Sequence, residues 1–302
     1  MPTDLHQHLW PASFLDALRE RRSGPRVDGW DLFLPGERVY PIDPADHDPE
    51  VRAAQAAADG DDLVCVAASA ALGLDRLPPN QAAELAEAWL EATLALPEPF
   101  RPWAMAGIQE PDPAGLRDAL ERGAVGLELA ADALAAPGGI ERLAPLLDVL
   151  DAAGAPLLVH PGPARAENGV VRPAWWAPVV PYVTQLHAAW WAWADGGRAR
   201  FPSMPVCFAA LAGLGPLHGE RHRARGGDGG AVDPLTFVET SSYGTVAVDA
   251  VIRVLGIDVV CNGSDRPYCR SAPPALGEAA LTAIRTRNPG RVLARHPEEV
   301  LT

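Results

Sequence analysis

The sequence contains no lysine, so all 25 of the basic residues among its 302 residues are arginine. This absence excludes catalysis through a lysine Schiff base, a lysine general base or the lysine of a P-loop. It also excludes the lysine carbamate that can bridge two metal ions. Any chemistry that the chain performs must therefore come from other side chains.

Other absences narrow the class of protein further. No run of 18 apolar residues could cross a bilayer, and the first ten residues lack the basic and apolar regions of a signal peptide. The net charge of −14 argues against nucleic acid or an anionic membrane as a partner. The four cysteines show no C-x-x-C spacing, which is typical of a reduced protein. We expect a cytoplasmic protein with a small-molecule partner, and a homodimer stays open.

Short apolar segments of strand type alternate with segments of helical period along the whole chain. Eight such segments within one domain, residues 1–302, predict an α/β fold of the (β/α)₈ barrel class. An open doubly wound sheet is the alternative, and it is disfavoured because no glycine-rich nucleotide motif follows the first segment. The predicted strands lie within residues 3–6, 62–69, 102–109, 124–130, 155–160, 205–211, 235–241 and 258–265.

Two long connections interrupt the alternation, at residues 21–50 and 161–200. The second contains a tryptophan-rich helix and lies between predicted strands five and six. Because barrel active sites form at the carboxyl ends of the strands, we expect this insertion to cover the barrel mouth like a lid. The alternative is that its helix packs on the side of the barrel or on a second subunit.

Polar residues end several of the predicted strands. His6 and His8 stand one residue apart in the first strand, His160 ends the fifth and Asp265 ends the eighth. In a barrel these four side chains converge at one mouth. Three imidazoles and a carboxylate suit Zn²⁺ or a similar divalent ion, with water completing the coordination.

These motifs resemble those of a known family. H-x-H in strand one, histidine in strand five, "VETSSYG" in strand seven, "CNGSDRPY" in strand eight and the closing "NPGRVLAR" are similar to the amidohydrolase superfamily. The closest likeness is to its amidohydrolase-related branch, which includes aminocarboxymuconate semialdehyde decarboxylase. The resemblance implies one divalent metal ion per chain, Zn²⁺ or Mn²⁺, held by His6, His8, His160 and Asp265.

One family feature is missing from the sequence. The family usually has a histidine at the end of strand six, and Ala210 stands at this position. His218 is the nearest substitute, so we predict a catalytic role for His218 beside that of Asp265. The alternative for His218 is a polar residue that caps local structure.

Four further residues are candidates for binding the substrate. Arg165 follows His160 closely and could bind a substrate carboxylate through two hydrogen bonds. Glu128 ends predicted strand four, while His187 and Trp176 belong to the tryptophan-rich insertion. Each has a structural alternative, since such residues also form surface contacts or pack a lid.

The motif set is compatible with several functions. We expect a metal-dependent hydrolase of a lactone, ester or amide, in which Asp265 accepts the proton of a metal-bound water. The alternative is a non-oxidative decarboxylase of an aromatic or unsaturated acid, which the missing strand-six histidine disfavours. Other lyase chemistry, such as hydration, and a binding protein with a structural metal are further alternatives.

Overall fold

The computed structural model describes residues 1–164, 172–229, 232–269 and 274–294. Eight short strands in this part of the chain correspond to the eight predicted segments. The third strand differs most, because Phe100–Pro102 overlaps its predicted range, 102–109, at Pro102 alone. The strands are β1 (Thr3–Gln7), β2 (Leu63–Val66), β3 (Phe100–Pro102), β4 (Leu127–Ala130), β5 (Leu157–His160), β6 (Val206–Phe208), β7 (Thr236–Glu239) and β8 (Val260–Cys261).

The strands pair in parallel in two sheets, which confirms the α/β class. One sheet has the order β1-β2-β3 and the other runs from β4 to β8 in chain order. Backbone hydrogen bonds also cross both gaps between the sheets. Ala104 donates to the carbonyl of Gly126 at 2.8 Å, and Leu5 donates to that of Asn262 at 3.0 Å. The carboxyl ends of all eight strands therefore face the same side of the molecule.

Helices follow most of the strands and cover them. Helix α4 (Pro113–Arg122) illustrates the local signals, because the Asp112 carboxylate accepts from two backbone N–H groups, Pro113 comes first and Gly123 follows the last turn. π-helical turns at Trp193–Gly197 and Ala283–Arg287 continue two of the helices. The α-helices are α1 (Ala12–Arg19), α2 (Pro49–Asp59), α3 (Pro79–Leu94), α4 (Pro113–Arg122), α5 (Ala131–Ala135), α6 (Gly139–Ala153), α7 (Trp176–Val179), α8 (Pro181–Ala192), α9 (Arg198–Arg200), α10 (Gly219–Arg223), α11 (Thr245–Leu255), α12 (Glu278–Thr282) and α13 (Asn288–Leu293).

The connection at residues 21–50 has structure of its own. Three antiparallel strands, Arg26–Asp28, Asp31–Phe33 and Tyr40–Pro41, precede a 3₁₀ turn at Pro44–His47. The buried guanidinium of Arg52 donates to the carbonyls of His8 and Asp46, both at 2.8 Å. This connection is therefore tied to the end of β1.

The core lies between the strands and the helices that cover them. Trp103 is fully buried and its indole N–H donates to the carbonyl of Leu5 at 2.9 Å. Gly126 is required beside it, because an added Cβ would lie 2.2 Å from the carbonyl oxygen of Pro156. Within the described residues, no helix has the length and apolar character that a membrane span requires.

We predict that Asn288 stabilises the end of the sheet. Its side chain is buried and its Nδ2 donates to the carbonyls of Ile257 and Val260 at 2.8 and 2.7 Å. Asn288→Ala leaves both carbonyls without this donor and should lower the free energy of unfolding by about 1–3 kcal/mol. Urea denaturation followed by tryptophan fluorescence measures this, with the exposed neighbour Arg287→Ala as the control. Equal free energies of unfolding for both variants would contradict the prediction.

Candidate metal centre

The fold brings together four residues that lie at or just beyond the carboxyl ends of β1, β5 and β8. One potential ligand atom from each of His6, His8, His160 and Asp265 lies within 4.8 Å of the others. The Nε2 atoms of His6 and His8 are 3.1 Å apart, and Nε2 of His8 is 3.2 Å from Oδ1 of Asp265. All three histidines are buried.

Two of the imidazoles are held by backbone carbonyls. Nδ1 of His8 donates to the carbonyl of Ala67 at 2.9 Å, and Nδ1 of His160 donates to that of Pro161 at 2.8 Å. A carbonyl can only accept, so the proton of each neutral ring lies on Nδ1. The lone pair of each ring is therefore on Nε2, the ligand atom of a metal-binding histidine whose other nitrogen is held in this way.

The third imidazole is held by a carboxylate that sequence reasoning missed. Nδ1 of His6 lies 3.2 Å from Oε1 of Glu239, the fully buried last residue of β7. Glu239 also accepts from the backbone N–H groups of Ala210 at 2.7 Å and Ser241 at 2.6 Å. The quoted motif "VETSSYG" contains this glutamate, but nothing in its spacing indicates a contact with His6.

The surroundings of His6, His160 and Asp265 shift the pKa values of these groups in different directions. Burial alone would lower the pKa of His6, but the hydrogen bond and charge of Glu239 raise it to about 9. Burial and the charges of His6 and His8 lower the pKa of His160 well below its usual range. Burial would raise the pKa of Asp265, but the His8 hydrogen bond and the two histidine charges lower it. At neutral pH, the proton on His6 therefore lies between the two Nε2 atoms.

Asp265 occupies a special backbone position. Its φ of 56° lies in the left-handed region, which non-glycine residues adopt only where the surroundings hold them. Its N–H donates to the carbonyl of His6 at 2.9 Å, and Ser242 Oγ donates to its Oδ2 at 3.4 Å. The side chain is 23% exposed, so Asp265 is the member of the cluster that reaches solvent.

This donor set fits a divalent metal ion. Two nitrogens 3.1 Å apart subtend about 100° at an ion that is roughly 2.0–2.1 Å from each, as zinc–imidazole bonds require. Neutral imidazoles and one carboxylate are ligands for Zn²⁺, Mn²⁺ and similar ions. The four residues could hold one ion, with the exposed side of Asp265 open to a substrate.

Glu128 and Trp176 are two further predicted site residues that the structure describes. Glu128 is buried and is the second residue of β4, so it does not end this strand as expected. Its Oε1 accepts from the N–H of Ala70 at 2.7 Å and lies 3.6 Å from Nδ1 of His160. Trp176 begins α7, and the Arg172 guanidinium lies 4.2 Å from its ring centroid. Arg165 lies outside the described residues.

His218 and His187 lie against each other. Their ring centroids are 4.7 Å apart, and His218 is exposed at the end of the segment Ala210–His218. Within the described residues, neither ring has a hydrogen bond or ring contact with the four clustered side chains. The structure therefore does not bring His218 into contact with Asp265, and its catalytic role stays a prediction.

Helix α8 packs against α5 and the segment Ala210–His218, which follow the carboxyl ends of β4 and β6. Leu186, Ala189 and Trp193 belong to the buried core. Gln185 accepts from the N–H of Gly162 at 2.6 Å, two residues after His160. The role of the whole insertion as a lid over the barrel mouth stays a prediction.

Two tyrosines approach the cluster, and sequence reasoning missed both. The ring centroid of Tyr268 is 5.4 Å from that of His8. Burial raises the pKa of Tyr182, and the nearby charges of Glu37, Tyr40 and Asp265 raise it further. Tyr182 is therefore near charged groups of both the connection at residues 21–50 and the four-residue cluster.

Neither a family model nor a curated protein matches the sequence, but solved structures match nearly its full length. IDCase from Metarhizium anisopliae is 16% identical to this chain. The match covers 98% of this chain and 97% of the IDCase chain, with a TM-score of 0.76. 2,6-Dihydroxybenzoate decarboxylase from Rhizobium is also 16% identical. The match covers 97% of this chain and 98% of the decarboxylase chain, with a TM-score of 0.70. The chain has the fold of these enzymes.

A third similar structure contains a metal. It is 5-carboxyvanillate decarboxylase from Novosphingobium aromaticivorans, solved with manganese and 4-hydroxy-3-methoxy-5-nitrobenzoic acid. This enzyme is 17% identical to the chain. The match covers 97% of this chain and 96% of the enzyme chain, with a TM-score of 0.67. The resemblance inferred from the motifs is thus confirmed at the level of the fold. The expectation of a hydrolase is wrong, because the similar enzymes include decarboxylases of aromatic acids, which supports the alternative function.

We predict that metal binding releases a proton. With a pKa of about 9, His6 carries an extra proton at pH 7, and this proton must leave before Nε2 can bind an ion. The apparent affinity should therefore rise about tenfold per pH unit towards pH 9 and then level off. Calorimetry in two buffers of different ionisation enthalpy should detect proton release on metal binding at pH 7, whereas no release would contradict the prediction.

We predict that Glu239 controls metal affinity through His6. Glu239→Gln preserves size but removes the charge that orients the imidazole, so the affinity for Zn²⁺ or Mn²⁺ should fall about 10–100-fold. Competition with a chromophoric chelator measures this change. The exposed Glu278→Gln is the control, and a folded Glu239→Gln protein with unchanged affinity would disprove the role.

Proposed function

We propose that the chain is a metal-dependent, non-oxidative decarboxylase of aromatic carboxylic acids within the amidohydrolase superfamily. The observation that carries this proposal is the cluster of His6, His8, His160 and Asp265, in which each imidazole is held at Nδ1. The fold shared with aromatic-acid decarboxylases supports the choice of reaction. We also infer that the two sheets form one closed eight-stranded barrel, since hydrogen bonds cross both gaps.

In this proposal the four residues hold one divalent ion, Zn²⁺ or Mn²⁺. The ion supplies positive charge that binds the substrate carboxylate and a neighbouring hydroxyl group. His6, His8 and His160 act as neutral ligands whose orientation is set by their Nδ1 hydrogen bonds. Buried Glu239 balances part of the positive charge.

Asp265 is the group that we assign to proton transfer. Replacement of a carboxylate on an aromatic ring by hydrogen breaks the ring–carboxyl bond, releases CO₂ and requires one proton at the ring carbon. Because the pKa of Asp265 is lowered, its carboxylate would first accept a proton from the substrate hydroxyl group and then donate it to the ring carbon. Water would return a proton to the phenolate product. Asp265 is the partly exposed member of the cluster, and its Oδ2 faces the hydroxyl of Ser242. Ala210 has no side chain that could carry a proton, and its N–H is bound to Glu239.

Two tyrosine rings near the cluster favour an aromatic substrate. Tyr268 lies against His8, and Tyr182, in the first turn of α8, is near enough to Asp265 and Glu37 for their charges to raise its pKa. We infer that these two rings contribute to the walls of the substrate pocket. Rings of this kind pack against a flat aromatic acid better than against a sugar.

We predict that metal-loaded protein releases CO₂ from a member of a panel of hydroxylated benzoates and that Asp265→Asn abolishes turnover. Loss of the proton-transferring group should lower kcat at least about 10²–10⁴-fold, while circular dichroism stays close to that of the wild type. Asp249→Asn is the matched control, at a partly exposed carboxylate that pairs with Arg253.

Two outcomes would contradict the proposed function. One is turnover by protein from which a chelator has removed all metal. The other is an absence of CO₂ release across the panel from protein with one Zn²⁺ or Mn²⁺ bound per chain.

A further inference from the structure

A second pair of imidazoles has the same mutual arrangement as those of the candidate metal centre. The rings of His187 and His218 are 4.7 Å apart between centroids, with an interplanar angle of 76°. The three ring pairs among His6, His8 and His160 have separations of 4.9, 5.0 and 5.2 Å and angles of 84–86°. Near-perpendicular imidazoles at this separation can present one nitrogen each to a common ion.

The nitrogens of this pair are available for a ligand. Within the described residues, neither His187 nor His218 has a hydrogen-bond partner for its ring. His187 is half-buried and His218 is exposed, so an ion can enter from solvent. Burial lowers the pKa of His187 and the neighbouring His218 lowers it further, which favours the neutral form that binds metals.

The two histidines belong to segments that are packed rigidly together. His187 lies in α8, and His218 ends the segment Ala210–His218. A Cβ added to Gly213 would lie 2.4 Å from the carbonyl oxygen of Val183, one turn before His187. Because the two backbones touch there, the rings are held close before any ion binds, which reduces the entropy lost on binding.

We propose that His187 and His218 form a second metal site, with water completing the coordination of a Cu²⁺, Ni²⁺ or Zn²⁺ ion. Two imidazoles without a carboxylate favour these ions over Mg²⁺ or Ca²⁺, and Cu²⁺ should bind most tightly. The ion would cross-link α8 to the segment that ends at His218. This site shares no ligand with the four-residue cluster, so its occupancy can be measured separately from the proposed decarboxylase activity.

The test is a metal titration of protein whose first site is already loaded with Zn²⁺. Cu²⁺ should add as a second equivalent, and electron paramagnetic resonance should show hyperfine coupling to two imidazole nitrogens. The added ion should also raise Tm by roughly 3–6 °C at a large excess over Kd. His187→Gln and His218→Gln should each remove the coupling to two nitrogens and the gain in Tm.

The control is His222→Gln. His222 is a neighbouring histidine whose ring centroid lies 4.7 Å from that of Trp191. The His222→Gln variant should still bind the second equivalent of Cu²⁺. The proposal is overturned if wild-type protein binds a single ion, or if the coupling to two imidazoles survives in the His187→Gln/His218→Gln double variant. Neither result depends on whether the protein decarboxylates any acid.

Discussion

The hydrogen bonds at Nδ1 of three histidines are the constraint on which the candidate site depends. His8 and His160 donate to backbone carbonyls that the strands hold in place, and His6 donates to Glu239. These acceptors set both the orientation and the tautomer of each neutral ring, so the three Nε2 atoms are directed at one point. Backbone carbonyls and Glu239 therefore orient the proposed metal ligands before any ion binds.

Glu239 extends this constraint to the neighbouring loop. Its carboxylate accepts from the N–H of Ala210, where the chain enters a run of left-handed backbone at residues 210–214. Such a run costs roughly 1–2 kcal/mol for each non-glycine residue and persists only where surrounding contacts hold it. One buried carboxylate thus joins a proposed metal ligand on β1 to the loop after β6, at the position where the resembling family has a histidine.

Residue patterns in the sequence were sufficient to predict the strands and the four clustered side chains. Strand periodicity is local, and the carboxyl ends of parallel strands meet at one edge, so His6, His8, His160 and Asp265 could be placed together without a structure. The contact between Glu239 and His6 could not be predicted, because it joins residues 233 positions apart and depends on side-chain direction.

The packing of α8 and the reaction type were equally hard to predict. The apolar face of α8 suits a lid and a core equally well, and only tertiary contacts show that Leu186 and Trp193 face the core. The same four ligands serve hydrolases and decarboxylases, so the motifs alone could not distinguish these reactions.

X-ray diffraction from protein with Zn²⁺ or Mn²⁺ bound, with anomalous data collected at the absorption edge of the metal, tests the central claim most directly. The account predicts one ion bonded to Nε2 of His6, His8 and His160 and to a carboxylate oxygen of Asp265, with metal–ligand distances of about 2.0–2.2 Å. An ion bound through Nδ1 of any of the three histidines, or no ion between these side chains, would contradict it.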